Sequence, residues 1–236
     1  MKRILTVAVI AVAAMVATFD VSAQTIGFAR FGVFGGFTSA RTRDAVTNIL
    51  NYQVNRMPEY HAGITGQIPM GAAFSLQPSI AWHVKGSSLS GLTDLNGDLN
   101  YEALTSKLGY LEGGLQLQAG LDLLAFRPYA FVEPFLGYAL SVNQQLYTTD
   151  PKTPDQTVSA FNQSGLRRFE WGMGVGFGVE VWRMQLAFKW FWNFGQLYDA
   201  ANTADAAPSV AQAIRGVYEN GRNFNGFVLS IGFFIF

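Results

Sequence analysis

Eight times along the chain, a stretch of about ten residues alternates apolar side chains with polar or small ones, and a turn-rich segment follows. The clearest copy is Trp171-Gly172-Met173-Gly174-Val175-Gly176-Phe177-Gly178-Val179, bulky at every odd position and glycine at every even one. Only a β-strand, with its two-residue period, puts all that bulk on one face. The alternation predicts strands over 26–38, 60–68, 74–85, 106–119, 128–141, 168–181, 183–195 and 223–236. In the third, Leu76, Ile80, Trp82 and Val84 oppose Ser75, Gln77, Ser79, His83 and Lys85. In the fifth, Val132, Leu136, Tyr138 and Leu140 oppose Glu133, Gly137 and Ser141. Phe34 is an apolar exception on the polar face of the first.

The connections alternate in length. Four are long and polar, at 39–59, 86–105, 142–167 and 196–222; three are short, at 69–73, 120–127 and 181–183. In bacterial outer-membrane barrels the long loops are extracellular and the short turns periplasmic. An even strand number then puts both termini in the periplasm. Lipid offers no hydrogen bonds to an open sheet edge, so the first strand must pair with the last. The expected fold is all-β, an eight-stranded antiparallel up-and-down transmembrane β-barrel. Asp94 to Gly97 and Thr148 to Asp155 read as turn-like loop tips. The alanine-rich 200–214 segment reads equally as a short helix or as irregular loop. Pro78 and Pro134 each remove a ladder donor, so a local bulge is expected near one or both.

Alternation alone does not say which face is outside, because a soluble eight-stranded barrel also exists with its apolar face inward. Its wet face would carry Lys, Glu and Asp. Here the polar face is mostly Gly, Gln, Ser and Tyr with isolated charges, which suits a packed lumen. Trp82, Trp171, Trp190 and Trp192 sit on the apolar face near strand ends, as interface aromatics do. Composition agrees. Charged residues are 14% of the chain and hydrophobic ones 50%, against a usual charged share of about 25%. Beyond the N-terminus no apolar run is long enough for a spanning helix.

That N-terminus reads as a secretion signal over Met1–Ala23. Lys2 and Arg3 precede an apolar stretch, and Val21-Ser22-Ala23 offers small residues for cleavage before Gln24. The barrel domain is then 24–236. Cleavage takes two of the 16 basic and one of the 16 acidic residues, leaving a balance near −1 and no electrostatic case for a nucleic-acid partner. Cysteine is absent, which rules out disulfides, thiolate metal sites and a cysteine nucleophile.

Inward charges are the one candidate constellation. Lys85 and Glu180 face inward with Arg30, Glu112, Glu133, Arg168, Glu170 and Lys189, and these last six are assigned to a lumen polar network. Pairing lowers the cost of charge in a narrow lumen. Glu112 and Glu133, near mid-barrel, are expected to meet Arg30 or Lys189 and form a plug; the rival reading is a proton or ion path. His61 and His83 also face inward and read as hydrogen-bonded lumen residues. A hydrolase would want a nucleophile motif around Ser75, Ser79 or Ser106, and none is there. Two histidines without cysteine are thin for a metal site, and Glu112 with Glu133 lacks the cleft of a glycosidase. The glycine stripe at 172, 174, 176 and 178 is room for Tyr129, Phe131, Phe135 and Phe191. No catalytic residue, cofactor or metal is assigned.

Several short segments resemble the outer-membrane β-barrel proteins of Bacteroidetes, the porin-family or PorT-like group. They are Phe31-Gly32-Val33 through Gly36, Phe74-Ser75-Leu76-Gln77-Pro78, Leu108-Gly109-Tyr110-Leu111-Glu112, Pro134-Phe135-Leu136-Gly137-Tyr138 and Leu229-Ser230-Ile231-Gly232-Phe233. The resemblance implies an eight-stranded outer-membrane barrel and no particular transport activity. Ser79 departs from the glutamate frequent in that group after Leu-Gln-Pro. The end, Phe233-Phe234-Ile235-Phe236, is one residue longer than usual, and Phe236 is the expected assembly signal.

The functional expectation is a non-enzymatic structural or binding barrel. Its partners would be outer-membrane lipid, the barrel-assembly machinery during insertion, and a protein or glycan at the extracellular loops. The alternatives are a narrow porin-like channel for small solutes, an accessory of an envelope secretion system, and a lumenal lipid-modifying enzyme.

Overall fold

The computed structural model describes residues 29–43, 53–71, 73–91, 103–123, 125–147, 154–219 and 221–235. The expected signal segment, the expected loop tip at 94–97, most of the one at 148–155 and Phe236 lie outside them. The strands are β1 (Arg30–Arg43), β2 (Gln53–Pro69), β3 (Phe74–Ser90), β4 (Ala103–Gly120), β5 (Arg127–Tyr147), the short β6 (Gln156–Val158), β7 (Phe169–Val181), β8 (Met184–Asn193) and β9 (Arg222–Phe234). Every adjacent pair is antiparallel, in the order β4-β3-β2-β1-β9-β8-β7-β5, and β4 pairs β5 to close the ring. Closure runs through β1 and β9, with Gly32 opposite Phe234 and Thr38 opposite Val228. β6 is an addition outside the eight, laid along the far end of β5 from Gln144 to Leu146.

Alternation is what the strands bury. On β5 the inward Tyr129, Phe131, Glu133 and Phe135 are buried while Val132, Leu136 and Tyr138 face out and are exposed. Several strands run further toward the loops than the alternation suggested. β2 starts at Gln53, β3 continues to Ser90 and β5 to Tyr147. On β5 the reason is a change of phase; β3 keeps its parity through Leu89. Between Gly109 and Tyr110 the β4–β5 register slips, so that Ser141 faces Gly109 while Ala139 faces Tyr110. The extra residue, Leu140, exchanges the faces of everything after it. Ser141 is therefore exposed instead of inward, and Val142, Gln144 and Leu146 turn inward. Two further shifts lie at Thr42/Arg43 and between Arg56 and His61. All three are at the loop end.

The prolines behave differently from expectation. Pro78 pairs with Leu115 and Pro134 with Met173 without any shift. On its other side each strand loses two rungs and resumes in the same register, from Thr65–Ser79 to Ile68–Leu76 and from Gly114–Phe135 to Leu117–Val132. A missing N–H removes hydrogen bonds at that point; it inserts no residue, so nothing bulges.

The 200–214 segment is ordered as helix. A short 3₁₀ turn at Ala200–Thr203 leads to α2 (Pro208–Tyr218), and a single helical turn, α1 (Phe161–Ser164), precedes β7. Pro208 opens α2, where its missing N–H costs nothing. Val210, Ile214, Val217 and Tyr218, at helical spacing, are buried in the mouth of the barrel. They meet Leu89, Leu104, Leu108, Val142, Leu146 and Phe224 from the strands and Phe161, Leu166 and Leu197 from the loops.

Candidate functional site: the filled lumen and its rim

The lumen is filled in layers. At the turn end Arg30 donates to Glu180 and to Gln67, and Arg127 approaches Glu180 at 4.0 Å. Next comes a glutamine lattice. Gln118 Nε2 donates to Gln77 at 2.6 Å and Gln77 Nε2 to Gln185 at 3.0 Å. Lys189 Nζ then meets Glu133 at 2.6 Å, and Gln116 Nε2 donates to the other Glu133 oxygen at 2.8 Å. Above this Lys85 Nζ bridges Glu112 at 2.6 Å and Glu170 at 2.7 Å, and Asn193 donates to the second Glu170 oxygen. Four cations, Arg30, Lys85, Arg127 and Lys189, thus face Glu112, Glu133, Glu170 and Glu180, and Arg127 also meets the exposed Asp122 at 3.3 Å. Lys85 is wholly buried, and its ammonium also lies 4.6 Å from the Phe135 ring centre and 4.9 Å from that of Phe191.

The sequence-assigned residues divide accordingly. Glu133 meets Lys189. Glu112 meets Lys85, not Arg30 or Lys189, because Arg30 sits at the turn end with Glu180. Arg168 is not with the carboxylates at all; its guanidinium lies over the Phe161 ring at 4.1 Å, in the loop-side cap. It precedes the first residue of β7, where strand alternation no longer fixes its direction. Arg127, Gln67, Gln77, Gln118, Gln185 and Asn193 complete the network without having been assigned to it. Their signal was position, since each occupies an inward place in its strand.

The histidines join a hydrogen-bonded row. His61 Nε2 meets Ser230 Oγ at 2.8 Å, and its Nδ1 meets Thr38 Oγ1 at 3.1 Å. Thr38 Oγ1 meets His83 Nε2 at 2.9 Å, and His83 Nδ1 meets Glu112 at 3.1 Å. Hydroxyl, imidazole and carboxylate in that order is also the order of a hydrolase triad. Thr38, however, is fully buried and shares its hydroxyl with a second imidazole. The adjoining cavity, between His61, His83, Glu112, Glu133 and Lys189, measures about 40 Å³. That is room for roughly three waters and no acyl chain. Among the described residues no three His, Asp or Glu side chains converge as a metal site would require. Ser75 is bound to Gln118 at 2.9 Å and Ser106 to the Tyr218 hydroxyl at 2.7 Å, so neither stands free as a nucleophile.

The glycine stripe is occupied by rings. A Cβ on Gly176 would meet Phe131 Cζ at 2.5 Å, one on Gly172 would meet Phe135 Cζ at 2.5 Å, and one on Gly178 would meet Tyr129 Cζ at 2.5 Å. Each ring belongs to the residue directly across the β5–β7 ladder. Gly174 instead lies under the Lys189 stem, and Phe191 leans on Gly226 of β9 rather than on the stripe.

Comparison with known proteins agrees with this geometry. The family model described as outer membrane protein beta-barrel domain matches residues 22–199. The chain belongs to this family. No curated protein matches the chain. Solved barrels align over most of their length. Ail, the attachment invasion locus protein of Yersinia pestis, is 8% identical with a TM-score of 0.39, covering 89% of this chain and 100% of Ail. OprG of Pseudomonas aeruginosa is 15% identical with a TM-score of 0.44, covering 87% and 95%. Neisserial surface protein A is 10% identical with a TM-score of 0.38, covering 88% and 99%.

For an outer-membrane barrel the outward face is the one that meets lipid, and its aromatics cluster near the strand ends. Trp171 packs edge-on against Phe194 at 4.8 Å, and Trp190 and Trp192 are 6.5 Å apart, all toward the loop end. Trp82, expected near a strand end, is instead the middle residue of the longer β3 (Phe74–Ser90), where it leans over Gly109 and a Cβ there would collide with its ring. A fifth, Trp182, was passed over in the sequence. It forms the β7–β8 turn with φ 55°, is 73% exposed and packs against Phe233 at the opposite end. The left-handed backbone costs a non-glycine residue about 1–2 kcal/mol. A depression of about 320 Å³ near the turn end is lined by the outward Phe74, Leu117 and Val132 and by the inward Ser75, Gln118 and Phe131.

Proposed function

We propose that this outer-membrane barrel is closed to solutes and acts through its loop-side surface, as a structural or binding element. The observation that carries this reading is the filling of the lumen from end to end. Arg30, Arg127 and Lys189 with their carboxylates and the glutamine lattice occupy the turn half, and Lys85 with Glu112 and Glu170 lies against the aromatic layer. Tyr110, Phe135 and Phe191 form an aromatic layer, and α2 covers the mouth. The short turns face the periplasm with both termini, the longer connections face outward, and the tryptophans other than Trp82 mark the two bilayer interfaces. The 40 Å³ cavity favours a non-enzymatic role, since its polar row has no space for a substrate.

Liposome swelling with purified protein tests the reading directly. Swelling in small sugars no faster than empty liposomes is expected; steady flux would establish the narrow-channel alternative. The partner is a protein or a glycan at the loop surface. The secretion-accessory role implied by the PorT-like resemblance differs in partner and not in barrel, so recovery of a secretion component after gentle detergent extraction would select it.

A further inference from the structure

One patch of the outward face is unlike the apolar surface around it. Arg41 of β1 is paired in register with Asn225 of β9, and Asn225 with Trp192 of β8, so the three share one outward row near the loop-side rim. The next row toward the membrane centre is Ser39, Phe227 and Trp190. Arg56 of β2 lies across that row. Its guanidinium carbon is 5.4 Å from the Trp190 ring centre and 5.7 Å from that of Phe227, and Nη1 donates to the Ser39 carbonyl at 3.4 Å. Arg41 is close enough to act on Arg56 electrostatically. Among the described residues neither guanidinium has a carboxylate partner. The Asn225 side-chain oxygen is buried there with no hydrogen-bond partner among the described residues.

We infer that this patch is a binding site for the phosphorylated, hydroxyl-bearing headgroup of a membrane glycolipid. Among the described residues, these two like charges on adjacent strands, held at the aromatic girdle, have no anion beside them to relieve their repulsion. The headgroup level is where lipid phosphates lie. Guanidinium groups take a phosphate through paired N–H donors. Stacking on Trp190 and Phe227 holds the Arg56 fork in place and leaves donors free on its edge. A neighbouring sugar hydroxyl would satisfy the Asn225 oxygen. The site rests on the reading above that this face meets lipid and its loop end the outer leaflet.

Native mass spectrometry of the purified barrel in micelles, with diphosphorylated lipid A and its dephosphorylated form as probes, tests the site. The phosphorylated form is expected to bind at least about tenfold more tightly, the scale of one charge-assisted hydrogen bond. Arg41→Gln with Arg56→Gln should erase that preference, Arg56→Lys should weaken it with charge preserved, and Arg215→Gln, at an exposed position of α2, should leave it unchanged. Equal retention of the two lipids, or a preference surviving the double substitution, would overturn the proposal. So would full competition by millimolar inorganic phosphate, which would make the patch a free-anion site. Because the chain lacks cysteine, Ala200→Cys provides a single label on the loop side. Its labelling on intact cells supports the outer leaflet. Labelling only after permeabilisation would overturn the orientation while leaving the phosphate dependence to be judged by the binding data.

Discussion

From the turn end up to the level of Tyr110 and Lys85 the lumen is filled by side chains that the strands themselves bring inward. On the loop side it is filled by side chains that a loop helix carries in. The first region is polar and charged. Lys85, Glu112, Glu170, Lys189 and Glu133 are each fixed by a strand whose neighbours on both sides are hydrogen-bonded. The second is apolar, with Val210, Ile214 and Val217 of α2 packed on Leu104, Leu108 and Phe224. Its side-chain hydrogen bond from helix to barrel is Tyr218 to Ser106. Rigid strands can hold opposite charges at contact distance without paying again for order. A helix entering from a loop relies on non-directional burial, which tolerates small adjustments. The two fillings should therefore differ in how they fail: the ion pairs with the whole barrel, the cap by local opening.

Removing Lys85 should break the comparison most sharply. Lys85→Met leaves Glu112 and Glu170 buried without their counter-charge, a loss of about 3–5 kcal/mol. The urea midpoint of the barrel in detergent should fall accordingly. Adding Glu112→Gln and Glu170→Gln should restore most of it; a midpoint that never moved would mean that the charges are solvated.

Ile214→Ala acts on the other filling. Ile214 is fully buried, and the truncation should cost the cap about 3 kcal/mol. The expected signature is faster proteolytic nicking within 154–219, with the barrel midpoint nearly unchanged. Loss of both together would show one cooperative unit.

Gly176→Val sharpens the polar half, since the added carbons collide with the Phe188 carbonyl oxygen of β8 and with the Phe131 ring. A loss of about 1–3 kcal/mol is expected. The double variant with Phe131→Ala, read by the same urea titration, should recover only the part due to that ring, since the Phe188 carbonyl stays in place.

The smallest effect should come from Tyr218→Phe, which removes the bond to Ser106 for about 1 kcal/mol. Burial raises the Tyr218 hydroxyl above its ordinary range, with the Ser106 bond opposing the shift. A folded pKa above the unfolded value means that this contribution is intact below about pH 10 and fades as pH climbs past it. Nicking of the cap by an alkaline protease should therefore rise above about pH 10 in the native chain, and less so in Tyr218→Phe.

Much of the strand architecture was legible because alternation is a local property. Trp171 to Val179 can be nothing else, and Glu133 and Lys189 were assigned inward from parity alone. Legibility stopped where parity changed. Leu140 is an ordinary residue in sequence, yet as the extra residue of a bulge it turns Ser141 outward and Val142 inward. Arg168 was misassigned for a related reason, lying one residue outside the strand that would have directed it. The partner of Glu112 was illegible as well. Lys85 comes from β3 beside it and Glu170 from β7 beyond β5, and strand offset around the ring decides which inward charges share a level. The cap helix carried a signal in its apolar spacing at 210, 214 and 217, but nothing local tells that such a stripe covers a barrel mouth.

The sequence by itself determined the strands, their faces, the demand for closure and the charge balance of the interior. Each of these follows from a two-residue period or from the cost of bare polar groups in lipid. Tertiary structure alone decided which charges touch, which rings sit over the glycines, where the bulges exchange the faces, and that α2 closes the mouth. Those depend on the register between strands distant in the chain, and register is set by the best joint packing of the whole ring.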